Sequence, residues 1–409
     1  MPEPIRVWML DLLSIVPYYT GHLCASLSRK TEVRVALASI NYQYDLDYFR
    51  RQRIRNDPGL LNVACRLGRA PATARRVLKL IEYFVNLTAL LIRFTFSRPD
   101  VIHVQFLPLA SYGLPVERWL LQLARAFGIK LVHTVHNVLP QDSGDRHKSG
   151  YKSIYQLADR LVCHDIHAAS RLTIEFGVQP ERISIIPHGP LFVEGSRSRS
   201  SSRSRERLGL AGDGCLVLWQ GILRAYKGVP FLLKAWQQVC HKDPRARLAI
   251  VGTGDRDVVQ AVENEVIALG LQSGVWLELR FVSVQELDDY YDAADVLVYP
   301  YSEVTTSGAL LTGVVRGKAV VASQLPAFEQ ILRQDETALL VPYGDVDALA
   351  ASLLRLIGDA DLRHSLGTRL LESQADLPGW EEIASRTYDC YRAAVSEGWN
   401  CGRQPIRVR

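Results

Sequence analysis

The 409-residue chain is 48% hydrophobic and 22% charged, with 28 glycines and 19 prolines; this is the make-up of a globular protein and excludes a disordered or fibrous one. Its length exceeds one ordinary core and predicts two domains of roughly 200 residues each, with a cleft between them. Seven scattered cysteines show no C-x-x-C and no metal-ligand spacing, so they read as reduced thiols in a cytosol and no metal site is expected.

The opening MPEPIRVWML runs straight into an apolar strand at 5–10, without the basic start, apolar core and cleavage site of a secretory signal. The expectation is a cytoplasmic protein. A second strand is predicted at 33–38. The net charge is only +5, but residues 50–98 hold eleven Lys and Arg against Asp57 and Glu82. Beside them runs the longest apolar stretch, 78–96, which Lys79, Glu82, Asn86 and Arg93 interrupt too often for a membrane span. Two readings stay open: a surface resting peripherally on anionic lipid headgroups and admitting a lipid-linked acceptor, or a solvated helix whose apolar face is core. No aromatic-interleaved basic motif is present, so no nucleic-acid partner is expected.

Strands follow at 101–105, 131–134, 160–163 and 183–186, alternating with helices such as 115–127, where Val116, Leu120, Leu123 and Ala124 recur at helical spacing. At 194–207 the run EGSRSRSSSRSRER has no apolar side chain to offset its ordering entropy. It is expected as a linker or exposed loop between domains at 1–193 and 208–375. The pattern then restarts, with strands at 215–219, 247–251, 275–279, 296–299, 319–322 and 339–341. Residues 376–409 are expected as a helix packing back towards the N-terminal domain, followed by a tail. The alternation predicts an α/β fold of two Rossmann-like parallel-sheet domains facing across a cleft.

Three strand ends carry candidate chemistry. In LVLWQGILRAYKGVPF a strand ends at Gly221, a loop presents Arg224 and Lys227, and a helix begins after Gly228; two cations before a helix N-terminus suit a diphosphate. In RLAIVGTGD, Gly252 and Gly254 either admit a nucleotide against the backbone or simply make a tight turn. In ADVLVYPYSEVTTSGALLTG a strand ends at Pro300, and the amides of Ser307, Gly308 and Ala309 open a helix; they either bind phosphate and sugar or serve as an ordinary cap.

The order of these segments resembles glycosyltransferase family 4 of the GT-B fold: a glycine turn with K-G, a G-x-G strand end, ADVLVYP, then RGKAVVAS, preceded by DVIHVQF, KLVHTVHNVLP, DRLVCHD and ISIIPHGPL. The resemblance implies a nucleotide-sugar donor, no cofactor, and site residues by position. Arg224 and Lys227 would neutralise the diphosphate. Gly221, Gly252 and Gly254 would line the donor crevice, with Ser307, Gly308, Ala309 and Glu329. His136 would come from the first domain to the transferred sugar, and His188 would lie near the cleft. The loop after the first strand, which in the family faces acceptor and diphosphate, supplies only Gly21 in place of paired glycines; its Tyr19 either covers an acceptor or simply packs. Departures are clear. Ile222 stands where the family has arginine, with Arg224 as the nearby substitute. The family's E-x7-E pair, whose second member holds ribose hydroxyls and whose first contacts the donor sugar, falls on Val304 and Thr312, with Glu303 beside the first position; Thr312, which can still hydrogen-bond, and Glu303 are the donor-binding candidates there. The expected retaining outcome loses its usual carboxylates; an inverting relative would need a base, for which Asp11, His136 and Asp142 are candidates.

The sequence thus predicts transfer of a sugar from a nucleoside diphosphate to an acceptor hydroxyl, on a lipid-linked or polysaccharide-precursor glycan. The alternative is a catalytically silent scaffold of the same fold that binds a nucleotide or a partner. A nicotinamide-dependent oxidoreductase is disfavoured, because no G-x-G-x-x-G follows the first strand.

Overall fold

The computed structural model describes residues 3–14, 17–40, 48–54, 60–66, 71–139, 144–191, 201–210, 214–304, 307–373 and 377–396. The chain forms two compact units, one of Met1–Gly189 with Pro378–Arg409 and one of Pro190–Leu377.

The first unit runs β1 (Ile5–Asp11), α1 (Pro17–Leu27), β2 (Val33–Ser39), α2 (Tyr48–Arg51), α3 (Ala72–Phe96), β3 (Val101–Phe106), α4 (Val116–Ala126), β4 (Lys130–Thr134), α5 (Lys148–Leu157), β5 (Arg160–Cys163), α6 (Ile166–Phe176) and β6 (Ile183–Ile185). The strands pair in parallel in the order β2-β1-β3-β4-β5-β6. Helices cover both faces of a parallel sheet, so its central strands are apolar throughout and not in alternation. Leu10, Ile102, Val104 and Leu131 pack against Leu87, Leu90 and Phe94 of α3. In α4, Leu120, Leu121 and Ala124 turn inward; Leu123, expected on that face, is exposed.

Helix α3 is apolar on two sides. Tyr83, Leu87, Leu90 and Phe94 face the core, while Leu80, Ile81, Phe84, Val85, Ile92 and Phe96 lie exposed. Its acidic residue points inward: Glu82 is buried and accepts from the Val63 and Ala64 amides. No described helix is long and apolar enough to cross a membrane.

The second unit runs α7 (Ser201–Leu208), β7 (Leu216–Gln220), α8 (Val229–Lys242), β8 (Arg247–Val251), α9 (Arg256–Ala268), β9 (Val275–Glu278), α10 (Val284–Ala293), β10 (Val296–Tyr299), α11 (Gly308–Val314), β11 (Ala319–Ser323), α12 (Pro326–Glu329), β12 (Leu339–Val341), α13 (Val346–Gly358) and α14 (Ala360–Ser373). Its strands are also parallel, ordered β12-β11-β10-β7-β8-β9. Trp219, Trp236, Leu248 and Leu353 sit in its core.

The Ser/Arg run corrects the linker expectation over its described part. Ser201–Leu208 is helix α7, packed on α10. Charge-assisted bonds order it where apolar burial could not. Arg205 donates to the carbonyls of Ala293 and Gly214 (3.1 Å each) and pairs with Asp295, and Arg207 pairs with Asp289. Residues 194–200 lie outside the described residues, and the units divide ahead of the run, after Gly189. The last helix, α15 (Trp380–Ser396), belongs to the first unit and packs on α1, β3 and β4.

Candidate functional site

In the second unit the carboxyl ends of β7, β8 and β10 meet in one cluster. Gly221 follows β7, and its amide donates to Val251 O (3.1 Å); Leu223 N then donates to Thr253 O (2.7 Å), so the two strand extensions run on side by side. Gly252 is required by this approach. Its φ is +144°, and a Cβ there would overlap the carbonyl oxygen of Gly221. Gly254 meets Leu223 Cβ in the same way, at 2.7 Å. The close packing of the two strand extensions by itself requires glycine at both positions.

Lys227 returns under Gly221, whose Cβ would come within 2.6 Å of Nζ. The half-buried ammonium lies over the Tyr301 ring, 5.3 Å from its centroid, and forms no ion pair among the described residues. Burial pushes its pKa below the ordinary lysine range, and nearby Arg224 pushes the same way. Arg224 donates to Asp255 at 2.9 Å. The 224–228 loop is tied to the segment after β10: Ser302 N donates to Tyr226 O (2.8 Å). Gly228, at φ +68°, leaves room for the Pro300 carbonyl.

Beyond that segment Ser307 caps α11, its hydroxyl accepting from Leu310 N (3.2 Å), which leaves the Gly308 and Ala309 amides outside the helix's own ladder. Glu303 is exposed. Glu329, also exposed, accepts from Gln324 (2.9 Å). Thr312 corrects the expectation that it holds a ribose. It is fully buried, and its hydroxyl donates to Gly308 O one turn back, at 2.8 Å.

In the first unit the ends of β3, β4, β5 and β6 converge on an aromatic and imidazole cluster. Tyr19 sits at its centre, with ring centroids 4.8 Å from His136, 5.4 Å from His164, 4.9 Å from His188 and 5.3 Å from Trp380. Phe106 stacks on His136 at 4.6 Å. Burial pushes His136 and His164 below the ordinary histidine range, and His188 down to about 3. His188 Nδ1 lies 2.6 Å from Gly189 O. Tyr19 and Gly21 were expected on an acceptor loop; both lie within α1, Tyr19 buried and Gly21 filled against by the Tyr48 ring. A continuous turn of helix from Pro17 accounts for this, since buried Tyr18, Leu23 and Leu27 draw the segment onto the sheet.

Asp11 is excluded as a base for an external hydroxyl. It is fully buried and accepts from Ser14 N (2.8 Å) and Thr20 Oγ1 (2.7 Å), and burial raises its pKa. Asp142 lies outside the described residues. Sequence reasoning missed His164 and Gln105, both bonded to His136. The available signal was positional: His136, His164 and His188 follow successive strand ends by one to three residues.

Residues 17–189 match the family described as Glycosyltransferase Family 4, and residues 214–359 match Glycosyl transferases group 1; together they take in well over half of the chain. D-inositol 3-phosphate glycosyltransferase 1 of Catenulispora acidiphila is 28% identical over 293 residues, 68% of this chain and 69% of that protein. The D-inositol 3-phosphate glycosyltransferase of Acidothermus cellulolyticus is 29% identical over 329 residues, 76% and 70% respectively. Among solved structures, Anabaena HepE in complex with UDP-glucose superposes with a TM-score of 0.75 at 16% identity, covering 95% of this chain and 100% of that one. That last likeness is one of fold.

Proposed function

The chain belongs to glycosyltransferase family 4 and has the paired Rossmann-like sheets of the GT-B fold, and on that premise we propose that it moves a hexose from a nucleoside diphosphate to an acceptor hydroxyl. The observation that carries the proposal is Lys227, an ammonium partly removed from water with no described carboxylate to answer it. Such a charge is relieved by an arriving anion, and a donor diphosphate supplies one. As the bond from sugar to phosphate breaks, negative charge grows on the leaving oxygen, and Lys227 and Arg224 stabilise it. These two cations answer the diphosphate without a metal.

We read the course as retaining. No protein nucleophile is assigned, and the leaving phosphate takes the acceptor proton. Purified protein screened against UDP-, GDP- and ADP-hexoses by thermal shift and turnover tests this reading. Arg224→Ala should lose most turnover while still folded; a folded variant with full turnover would overturn the assignment. Thr312 standing buried in the place of a carboxylate favours the silent scaffold as the second reading, and donor binding with no transfer to any acceptor would establish it.

For the acceptor we propose a lipid-linked or polysaccharide-precursor glycan at the cytosolic membrane face. Support comes from the outer side of α3, where Ile81, Phe84 and Ile92 are 41–55% exposed on a helix that also carries Arg75, Arg76, Lys79 and Arg93. An exposed apolar stripe on a helix rich in basic residues suits the interface of an anionic bilayer.

A further inference from the structure

His136 is held at both ring nitrogens. Nδ1 lies 3.2 Å from His164 Nε2, and Nε2 lies 2.9 Å from Gln105 Oε1. The far nitrogen of His164, Nδ1, lies 3.0 Å from the Ile186 carbonyl oxygen. A carbonyl only accepts, so His164 carries its proton on Nδ1. In a neutral ring Nε2 is then a bare acceptor, and only an N–H at His136 Nδ1 can meet it. His136, itself neutral, is left with its lone pair on Nε2. A third proton would make the pair cationic, which burial among Tyr19, Phe106 and Trp380 opposes.

The rest of the network closes consistently. The structure turns Gln105 Oε1 to His136 Nε2 and Gln105 Nε2 to His103 Nε2 (3.3 Å) and Met9 Sδ (3.0 Å); the two ends of a carboxamide are nearly isosteric, and turned over, its NH2 donates to His136 Nε2 while its oxygen accepts from His103 Nε2. That nitrogen, as N–H, also reaches Thr134 Oγ1 at 2.7 Å, and the Tyr391 hydroxyl donates to His103 Nδ1 at 2.7 Å. Each link among the imidazoles, Gln105, Thr134 and Tyr391 then joins a donor to an acceptor, at the loss of one weak N–H···S contact to Met9. The opposite tautomer of His136 would set two acceptors against each other at Ile186.

We propose that His164 is a positioning residue that fixes His136 in the Nδ1–H tautomer, so that His136 offers substrate an accepting lone pair at Nε2 and not a donor. A sugar or acceptor hydroxyl that displaces the Gln105 amide would donate its hydrogen there. This rests on the reading that His136 meets the transferred sugar. The tautomer itself does not.

Long-range 1H–15N correlation of the full chain labelled at histidine reads the tautomer in the resting protein. His136 should show the Nδ1–H pattern in wild type and in His164→Gln, whose carbonyl oxygen can take the place of Nε2. It should revert to Nε2–H in His164→Phe, which keeps a ring against Tyr19. An Nε2–H pattern at His136 in wild type overturns the proposal whatever the activity, and decides it even if a variant fails to fold. In turnover, His164→Phe should lose at least tenfold in kcat with donor KM within threefold, and His164→Gln should stay within threefold of wild type. A switched tautomer with unchanged kcat would equally overturn it. Absence of transfer by wild type would refute the functional reading and leave the tautomer result standing.

Discussion

Replacing Lys227 with methionine separates what the donor needs from what the fold needs. The side chain keeps its length and its place over Tyr301 but loses its charge. A unit charge about 4 Å from a phosphate oxygen is worth on the order of 4 kcal/mol at an effective dielectric near 20. Arg224, already shared with Asp255, recovers part of this, so we expect a loss of roughly 2–4 kcal/mol, about 30- to 1000-fold in donor Kd. Stability should move the other way. The folded state lowers the Lys227 pKa by burial, so the charged form costs stability at neutral pH. That cost fades only as pH rises through the lowered pKa towards the ordinary lysine value. Methionine removes it and forgoes a cation–π contact worth about 0.5–1 kcal/mol. The unfolding temperature should therefore be unchanged or higher. Calorimetric titration with the donor found in the screen, paired with thermal unfolding, checks both halves. A Kd within threefold of wild type, or a fall of more than about 5 °C, would refute the reasoning.

Three further outcomes follow from the geometry. Gly252→Ala should cost roughly 3 kcal/mol or more, because the methyl meets the Gly221 carbonyl at a positive φ; a urea midpoint near wild type would contradict this. Glu117 is buried beneath Tyr83 and the Leu109 and Ala110 amides, and burial lifts its carboxyl from 4.5 to about 7. Its proton-linked stabilisation is therefore full below pH 4.5 and lost as pH rises through 7, on the order of 3 kcal/mol. Urea unfolding at pH 5 and pH 8 should show this slope in wild type and not in Glu117→Gln. Ile81→Glu combined with Phe84→Glu should cut sedimentation with phosphatidylglycerol-containing vesicles at least tenfold without shifting the unfolding temperature, since both side chains are exposed; equal sedimentation would remove α3 from the membrane reading.

The twelve strands among the described residues were legible because a parallel sheet covered on both faces writes itself as short apolar runs, as in LVLWQ and RLAIV. What was not legible depended on contacts distant in sequence. Helix α7 is ordered by Arg205 reaching Asp295 across 90 residues, which a tract without apolar residues cannot announce. Gly252 reads as a ligand-facing glycine, and the packing reason for it, the Gly221 carbonyl where a Cβ would stand, comes from a strand distant in sequence. Thr312 looks available until its hydroxyl is found bonded within its own helix. His136 was legible by motif, but the pair it forms with His164 was not, since the two meet only through the sheet order β4-β5.

Helix α15 sets a timetable for synthesis. Its Tyr391 bonds the buried His103 of a sheet whose last strand ends at Ile185, yet the whole of Pro190–Leu377 is translated in between. At 5–20 residues per second the ribosome needs roughly 10–40 s for that stretch. During that interval the α1 surface that receives Trp380 waits uncovered on a nascent chain. The second unit, contiguous in sequence, can close first, so the half made first is the half completed last.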